Sequence, residues 1–310
     1  MRTRIALASV LVATAVLAVS GQRGPAPDPL IPEGVTVKLG AHTYAIPDGG
    51  IPLVPNVGIV VGSRATLVVD TGLGRRNGEA VLREVAKVSR NEALYIVTTH
   101  FHAEHTMGYT AFPPSAQYVN STIQEAEFAE TGMRQVQTFA SRSPMTAELL
   151  KDAARRPAAV TFDREHVLDL GGVRARLLVV GPTHTKGDTV VFVEDDRVLF
   201  AGDVVMNRSF VAANQNSSTR AWLAAFDRFA TMQPSTIVPA HGEIGPGSIL
   251  APLQTAVQGI QARARELKAQ GRSADEAATT VQSEFQAQHP TWARPNGIAA
   301  LARSAYAEAP

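Results

Sequence analysis

Hydrophobic and polar positions divide the chain into short strand-like runs and helical periods. Residues 35–45 alternate as in a half-buried strand, and the apolar runs 57–61 and 65–69 flank Gly62-Ser63-Arg64 as in a hairpin. Apolar residues at helical spacing over 80–88 predict a helix. Strands and helices that alternate along a chain are typical of an α/β domain.

Two further helices are indicated by their capping residues and their apolar stripes. Ser121 followed by Gln124 resembles a capping box, which predicts a helix from there through Met133. Later, three aromatic side chains recur at helical spacing, and we interpret them as core residues rather than as a cofactor site: Trp222, Phe226 and Phe229.

The last part of the chain has a different character. After Gly247 it is rich in Ala, Gln, Arg and Glu at helical periods, and Ser273 with Glu276 is a second predicted cap. Pro290 and Pro295 divide the end of this part into short pieces. We therefore predict a helical C-terminal extension over residues 249–310 that covers a preceding domain.

A cluster of possible metal-binding side chains follows the apolar run 94–97. Three imidazoles and a carboxylate fall within six residues, His100, His102, Glu104 and His105. In an extended chain His100 and His102 point to the same side, and a following helix turns the other two towards a nearby point. Nitrogen and carboxylate ligands at this spacing suit zinc or a similar divalent metal.

Three more ligand-type residues stand just past predicted strands. His184 follows 175–180, Asp203 ends the apolar run that begins at Leu199, and His241 follows 236–238. Loops at the ends of strands, held by a rigid sheet, commonly display metal ligands and catalytic groups. The three residues therefore become candidates for the same site as the first cluster.

In order and spacing these motifs resemble the metallo-β-lactamase superfamily. The resemblance includes His100-x-His102-x-Glu104-His105, the later His184, Gly202-Asp203 and His241, and also Asp70-Thr71-Gly72 after an apolar run. It covers about residues 35–248 and implies an α/β fold, a four-layer αββα sandwich with a two-metal site at one edge. A weak internal sequence similarity between the hairpins that end at Asp70 and Asp203 is compatible with two packed sheets.

The resemblance also implies a ligand set. His100, His102 and His184 would hold one metal, Glu104, His105 and His241 the second, and Asp203 would bridge them. Asp70 is expected to brace the histidine loop through hydrogen bonds. Two zinc ions are the expected cofactor, with iron or manganese as alternatives. Metal-bound hydroxide would then attack an ester, thioester, lactone or amide carbonyl.

Composition is compatible with a small-molecule hydrolase. The chain has 310 residues, 45% of them hydrophobic, and a formal net charge of +1, which gives no reason to expect a nucleic-acid partner. It contains no cysteine, which excludes disulfides and thiolate ligands. Any metal site must therefore use His, Asp and Glu.

Glu104 departs from the resemblance, since the family usually has Asp at this place. The extra methylene displaces the carboxylate, so Glu104 either binds the second metal differently or acts catalytically by orienting the water. If the substitution disables the second site, the chain would be a non-catalytic metal-binding protein.

Asp203 bears on the substrate class. True β-lactamases of the family generally carry Cys or Ser at the matching place, whereas thioesterases and lactonases share the Asp. This favours a hydrolase other than a β-lactamase proper, which stays an alternative. An iron-dependent oxidoreductase on the same fold is a further alternative.

The N-terminus predicts export. Arg2 and Arg4 precede the uncharged run 5–19, and small residues before Gly21 suit cleavage of a signal peptide over residues 1–20. The run is short against the ~20 residues of a membrane span. We expect a periplasmic or secreted protein without a membrane anchor, and a disordered leader over residues 21–34.

Substrate contacts are predicted from position alone. The Pro/Gly-rich loop 46–56 is a candidate flap over the site, and the segment 206–216 should rim the metal pocket. Within it, Arg208 and Asn214 are the candidate substrate residues, with Arg208 suited to a carboxylate. The remaining histidines are placed outside the site: His42, His166 and His289.

Overall fold

The computed structural model describes residues 27–310, so the predicted signal peptide lies outside the described residues. Two sheets form the centre of the fold. The first has seven strands in chain order, of which β1 to β4 are antiparallel and β4 to β7 are parallel. Its strands are β1 (Val37–Lys38), β2 (Thr43–Ile46), β3 (Val57–Val61), β4 (Thr66–Val69), β5 (Leu94–Val97), β6 (Gln117–Ser121) and β7 (Val160–Phe162).

The second sheet has six strands in the order β13-β12-β11-β10-β9-β8. Only the β11–β12 pair is parallel within it. Its strands are β8 (Glu165–Asp169), β9 (Arg174–Val179), β10 (Thr189–Val193), β11 (Val198–Gly202), β12 (Thr236–Pro239) and β13 (Gly245–Pro246).

The helices lie on the outer faces of the two sheets. They are α1 (Arg75–Val88), α2 (Ala103–Thr106), α3 (Thr122–Glu127), α4 (Met133–Ala140), α5 (Pro144–Leu149), α6 (Thr219–Met232), α7 (Leu250–Ala269), α8 (Ala274–Gln288) and α9 (Asn296–Glu308). A π-helical turn, Phe128–Gly132, joins α3 to α4, and short 3₁₀ helices span Met107–Ala111 and Gly247–Ile249.

Three hydrophobic cores separate the four layers. The central core packs side chains such as Leu67 of the first sheet against Val191 and Phe200 of the second. Gly58 is required at this seam, because a Cβ there would lie 2.6 Å from the Phe200 ring. One outer core joins the first sheet to α1, and the other joins the second sheet to α6 through α9. The predicted four-layer αββα sandwich is confirmed.

Several local predictions are confirmed. β3 and β4 pair as the predicted hairpin, with Gly58 opposite Val69. The Ser121 hydroxyl accepts the Gln124 N–H at the start of α3, although the helical path continues beyond Met133 through α4. The three aromatic residues of α6 are fully buried. The strand predicted over 35–45 is wrong in extent, since a turn breaks it into β1 and β2.

The described part of the predicted leader lies against α1. Ile31 is buried, and its N–H donates to Asn77 Oδ1 at 2.8 Å. The N–H of Gly34 donates to Glu84 Oε1 at 2.8 Å. From residue 31 onwards this segment therefore packs as part of the fold, because its polar groups find partners on the helix.

The C-terminal helices form the outer layer on the second sheet. α7, α8 and α9 pack on one another and on α6, with Val257, Val281 and Leu301 buried among them. The predicted capping box at the start of α8 is confirmed, with Ser273 and Glu276 bonded reciprocally. Of the helices within residues 27–310, none has both the length and the apolar composition of a membrane span.

Candidate metal centre

Loops at the ends of five strands meet at one edge of the sandwich. They follow β4, β5, β9, β11 and β12 and bring all the candidate ligands together. Two groups of potential ligand atoms result, each within 4.8 Å of one another. The groups are His100, His102 and His184, and Glu104, His105 and His241.

The first group has the geometry of a three-histidine site. Nδ1 of His102 lies 3.1 Å from Nε2 of His100 and 3.2 Å from Nε2 of His184. Zinc bonds of ~2.0–2.1 Å at tetrahedral angles place two nitrogens roughly 3.3 Å apart. The three ring nitrogens are thus arranged to share one ion.

The second group combines a carboxylate with two imidazoles. Glu104 Oε1 lies 4.0 Å from His105 Nε2. His102 directly precedes the short helix α2, and this helical turn places Glu104 and His105 on the side facing His241. The extra methylene of Glu104 therefore still delivers its carboxylate to this group.

Asp203 stands between the two groups. Its Oδ2 lies 3.6 Å from His184 Nε2, and its Oδ1 lies 3.9 Å from His241 Nε2. One oxygen therefore faces each group, which is the placement a bridging carboxylate needs. Asp203 follows β11 at Gly202, whose φ of 57° turns the chain there.

Hydrogen bonds at the opposite ring nitrogens fix three imidazoles. Nδ1 of His184 donates to the Ala212 carbonyl at 2.6 Å, and Nδ1 of His241 donates to the Val54 carbonyl at 2.9 Å. Nδ1 of His105 lies 2.9 Å from Asp70 Oδ2. Each contact leaves Nε2 directed into the site, which is how metal-binding histidines are usually oriented.

Three buried polar atoms at the centre have no hydrogen-bond partner in the described part of the chain. They are Glu104 Oε2, His105 Nε2 and Asp203 Oδ1. Leaving such atoms unpaired is costly, and a folded protein normally avoids it. A cation held by these atoms would satisfy all three, so the donor set fits a divalent metal.

The charges of these groups are strongly coupled. Burial and the neighbouring imidazoles lower the pKa values of His100 and His102. Burial opposes protonation of His105, but Asp70 outweighs it and raises the pKa of His105 to about 9. Burial would also raise the pKa of Asp203, yet the surrounding imidazoles lower it. Burial raises the pKa of Glu104.

Asp70 holds the loop after β5, which carries His100 to His105, through hydrogen bonds. Its Oδ1 accepts the Thr99 N–H at 2.7 Å, while Oδ2 accepts the Thr99 hydroxyl at 3.0 Å and contacts His105. Asp70 itself has a φ of 64°, an uncommon conformation for a residue other than glycine. The structure therefore places Asp70 behind the ligands rather than among them.

The loop 46–56, predicted as a flap, is pinned to the loop that carries His241. The Asn56 amide donates to the carbonyls of Pro239 and Gly242 at 2.9 and 2.8 Å. Asp48 Oδ2 accepts the Gly242 N–H at 2.7 Å. Motion of the whole loop would break these bonds, and the tip over residues 50–53 lines the cavity.

A second carboxylate holds the His184 loop, and local sequence patterns do not reveal it. Asp188 accepts the Thr185 N–H at 2.8 Å and the hydroxyls of Thr183 and Thr185. Asn214, predicted to contact substrate, donates its amide to the His184 carbonyl at 2.6 Å and lines a second cavity beside His102 and His184. The residues on both sides of His184 are thus fixed by side-chain hydrogen bonds.

The candidate ligands border a cavity of about 580 Å³, within the usual range for small-molecule sites. Arg208 does not line it, which corrects the sequence prediction. The Arg208 backbone has a φ of 51°, and its exposed side chain borders a separate cavity beside α7. Arg294 lines the main cavity, with Nη1 3.7 Å from Asp203 Oδ2.

The remaining histidines lie away from the centre. His42 bonds through Nδ1 to the Val61 carbonyl at 3.1 Å. His166 stacks on Phe162, and His289 packs against Trp292 with ring centroids 4.2 Å apart. None of the three lines the metal cavity among the described residues.

Comparison with known sequences identifies relatives of this architecture. The family model described as the metallo-beta-lactamase superfamily matches residues 50–241. A linear primary-alkylsulfatase from Pseudomonas sp. is 25% identical, over 57% of this chain and 39% of its own length. The human acyl-coenzyme A thioesterase MBLAC2 is 27% identical, over 50% of this chain and 60% of its own. The chain thus spans less than two thirds of these relatives.

Solved structures share the fold at lower identity. A metallo-beta-lactamase from Pontibacter korlensis has a TM-score of 0.59 at 19% identity, covering 72% of this chain and 98% of its own. The sec-alkylsulfatase Pisa1 from Pseudomonas sp. has a TM-score of 0.67 at 14% identity, covering 87% of this chain and 49% of its own. At these identities the likeness concerns the fold alone.

Proposed function

The chain belongs to the metallo-β-lactamase superfamily, and from that premise we propose that it is an exported, metal-dependent hydrolase. Its substrates are small molecules with an ester, thioester, lactone or amide bond. The observation that carries the proposal is the convergence of two ligand groups around Asp203, with three buried atoms that have no hydrogen-bond partner within residues 27–310.

The proposed cofactor is a pair of zinc ions. The three-histidine group would hold one ion, Glu104, His105 and His241 the other, and Asp203 would contribute an oxygen to each. When bound, two divalent ions would supply a water of lowered pKa and would polarise the bond to be cleaved. Imidazole-rich ligand sets suit zinc better than magnesium or calcium.

The protein's own residues supply orientation. The Nδ1 contacts of His184 and His241 fix which ring nitrogen faces the site, and Asp70 does the same for His105. Glu104 is buried beside His105, where its carboxylate serves as a ligand or as the acceptor of a water proton. The chain has no cysteine, so a thiol nucleophile is not available.

The relatives support hydrolysis of ester-type bonds. One is named a linear primary-alkylsulfatase and another an acyl-coenzyme A thioesterase, and the names describe hydrolysis of an alkyl sulfate ester and of an acyl thioester. Apolar side chains line the present cavity near the ligands: Ile51, Leu53, Phe139 and Met206. An aliphatic acyl or alkyl portion would bury its surface there.

Metal content and turnover together test the proposal. Elemental mass spectrometry of the mature protein should find about two zinc ions per chain. A panel of 4-nitrophenyl esters, thioesters, lactones and a chromogenic cephalosporin should show turnover that His102→Ala abolishes while the circular dichroism spectrum is retained. Turnover that survives His102→Ala would refute the mechanism. Iron in place of zinc, with oxygen consumption, would favour the oxidoreductase alternative.

Export is tested separately. We propose that the apolar run after Arg2 and Arg4 directs the chain to the periplasm or medium and is removed before Gly21. Mass spectrometry of the protein recovered from a bacterial periplasmic fraction should give an N-terminus at Gly21. Recovery of the intact N-terminus from the cytosol alone would contradict export.

A further inference from the structure

An arginine from the C-terminal helical region reaches the metal cavity. Arg294 lies between α8 and α9, well beyond residues 50–241 that match the family model. Its neighbour Ala293 pairs with the segment that follows Asp203. The Ala293 N–H donates to the Arg208 carbonyl at 3.2 Å, and the Phe210 N–H donates to the Ala293 carbonyl at 3.0 Å. These bonds attach the connection between α8 and α9 to the rim of the cavity.

Packing holds this connection in one position. Phe210 contacts the rings of His289 and Trp292 at centroid distances of 5.7 and 5.1 Å. A Cβ at Gly297 would lie 2.1 Å from the Val211 carbonyl oxygen, so α9 starts in close contact with the same segment. Arg294 itself has a φ of 58°, a conformation that persists only where the surroundings enforce it.

The N–H donors of the Arg294 guanidinium are available for a ligand. Its Nη1 lies 3.7 Å from Asp203 Oδ2, which is within ion-pair distance but longer than a hydrogen bond. Among residues 27–310 its side chain donates no hydrogen bond. Arg142 lines the same cavity and stacks on Phe139, 3.8 Å from the ring centroid, and it pairs with no carboxylate in the described chain.

The carboxylates around the cavity face backbone N–H groups or the imidazoles of the site. Asp48 accepts N–H groups from Gly50 and Gly242. Glu104 and Asp203 face the metal ligands. The guanidinium groups of Arg294 and Arg142 therefore keep N–H donors available towards the cavity, beside a centre whose proposed ions add positive charge.

We propose that Arg294, assisted by Arg142, binds an oxyanion of the substrate, so that the C-terminal helical region determines substrate specificity. This rests on the hydrolase function proposed above and adds the substrate class: molecules with an apolar chain and a carboxylate or sulfate close to the bond cleaved. A planar guanidinium binds both oxyanions through paired N–H donors. The apolar wall near Met206 accommodates the chain.

Binding and turnover provide separate tests with the full mature, zinc-loaded protein. Isothermal titration calorimetry compares octanoate and octyl sulfate with neutral octanamide. Arg294→Gln should lower the affinity for octanoate and octyl sulfate roughly tenfold, as expected for loss of a partly exposed charge-assisted contact. The affinity for octanamide should change much less. In turnover, the preference for mono-4-nitrophenyl glutarate over 4-nitrophenyl butyrate should fall by a similar factor. Hydrolysis of decyl sulfate distinguishes a sulfate at the cleaved bond from a carboxylate beside it.

Arg208→Gln is the matched control. Arg208 is also an exposed arginine with a left-handed backbone, but it borders the cavity beside α7. It should leave both preferences unchanged. If Arg294→Gln loses equal affinity for the anionic and the neutral compounds, or loses none, the proposal is overturned. If Arg294→Gln fails to fold, Arg142→Gln and Arg294→Lys provide the same comparison.

The outcomes separate the two proposals. Anion binding that depends on Arg294, without turnover of any substrate, would refute the hydrolase function and retain the oxyanion site. Turnover without preference for anionic substrates would do the reverse.

Discussion

The Asp70 carboxylate lies 2.9 Å from Nδ1 of His105, the imidazole whose Nε2 faces Glu104. Asp70 also accepts two hydrogen bonds from Thr99, which precedes the first histidine of the cluster. The carboxylate therefore fixes both the position of the loop and the ring nitrogen that His105 offers to a metal. This relationship links the end of β4 to the second ligand group.

Asp70→Asn should weaken metal binding at the second group while sparing the first. The amide retains the shape but loses the negative charge that favours a donating Nδ1 on His105. Loss of such a partner typically costs 10- to 100-fold in metal affinity, so about that decrease is expected for one of two zinc ions. Zinc titration against a competing chelator measures it.

Asp196→Asn is a suitable control for that experiment. Asp196 accepts three hydrogen bonds from Ala41, His42 and Thr43, and it lies in the turn between β10 and β11, at the opposite end of β11 from Asp203. Asp196→Asn should lower the stability of the fold and leave the affinities for both zinc ions unchanged. If Asp70→Asn lowers both zinc affinities equally, Asp70 supports the whole loop rather than His105.

Glu104→Gln and Glu104→Asp distinguish a ligand from a residue that orients water. As a ligand, Glu104 provides a charged oxygen, and Gln should lower the zinc content from about two ions to one. If it only orients water, Gln should leave the metal content unchanged and reduce turnover. Metal content and turnover are measured on the same preparations.

Glu104→Asp tests the non-catalytic alternative. Because Oε1 lies 4.0 Å from His105 Nε2, the natural carboxylate already reaches the second group, and we expect Asp to give no gain in turnover. Activity that appears only in Glu104→Asp would show that the natural residue disables the site.

Metal removal should destabilise the fold. Without a cation, buried Glu104, His105 and Asp203 keep unpartnered polar atoms. Zinc at about 100 times its dissociation constant stabilises the native state by ~2.7 kcal/mol, so chelation should lower the melting temperature by roughly 5–10 °C. Differential scanning fluorimetry with and without chelator measures the shift.

The source of that shift can be verified. Zinc should restore the melting temperature, and magnesium should not, because imidazole ligands bind magnesium poorly. The double variant His102→Ala/His105→Ala should be insensitive to chelator. A chelator effect of equal size in this variant would place the bound metal elsewhere.

The architecture and the ligand groups were predicted from the resemblance, which rests on short motifs that can be recognised locally. The ligands lie in segments that follow apolar strands, and these segments meet at one edge of the packed sheets. The contacts that hold the site were not predictable in this way. Asn56 donates to the carbonyls of Pro239 and Gly242, which lie 183 and 186 residues later in the chain, and no local pattern indicates that pairing.

The error over Arg208 has a similar cause. An arginine soon after Asp203 is close to the site in sequence, but its side-chain direction depends on the backbone turn at φ 51°. That turn is coupled to Ala293 through a hydrogen bond from a segment 85 residues later in the chain. The residue that does line the cavity, Arg294, belongs to that distant segment.

Glu84→Gln should loosen the segment that leads into the domain. Buried Glu84 accepts the Gly34 N–H at 2.8 Å and the Thr36 hydroxyl at 2.6 Å, and it pairs with Lys87. Burial opposes ionisation, but these partners outweigh it and hold the pKa of Glu84 below its ordinary value. A depressed folded-state pKa stabilises the protein above the unfolded-state pKa of ~4.3, and that contribution is lost as pH falls through the folded value.

The variant should therefore lose about 1–3 kcal/mol of unfolding free energy at pH 7, measured by urea denaturation. Its difference from the natural protein should shrink at acidic pH, since protonation removes the same charge from Glu84. Glu79→Gln on the same helix removes only an exposed pair with Arg75 and should cost less than about 0.5 kcal/mol. Equal losses for the two variants, or a Glu84→Gln effect independent of pH, would mean that the carboxylate charge does not hold the leading segment on α1.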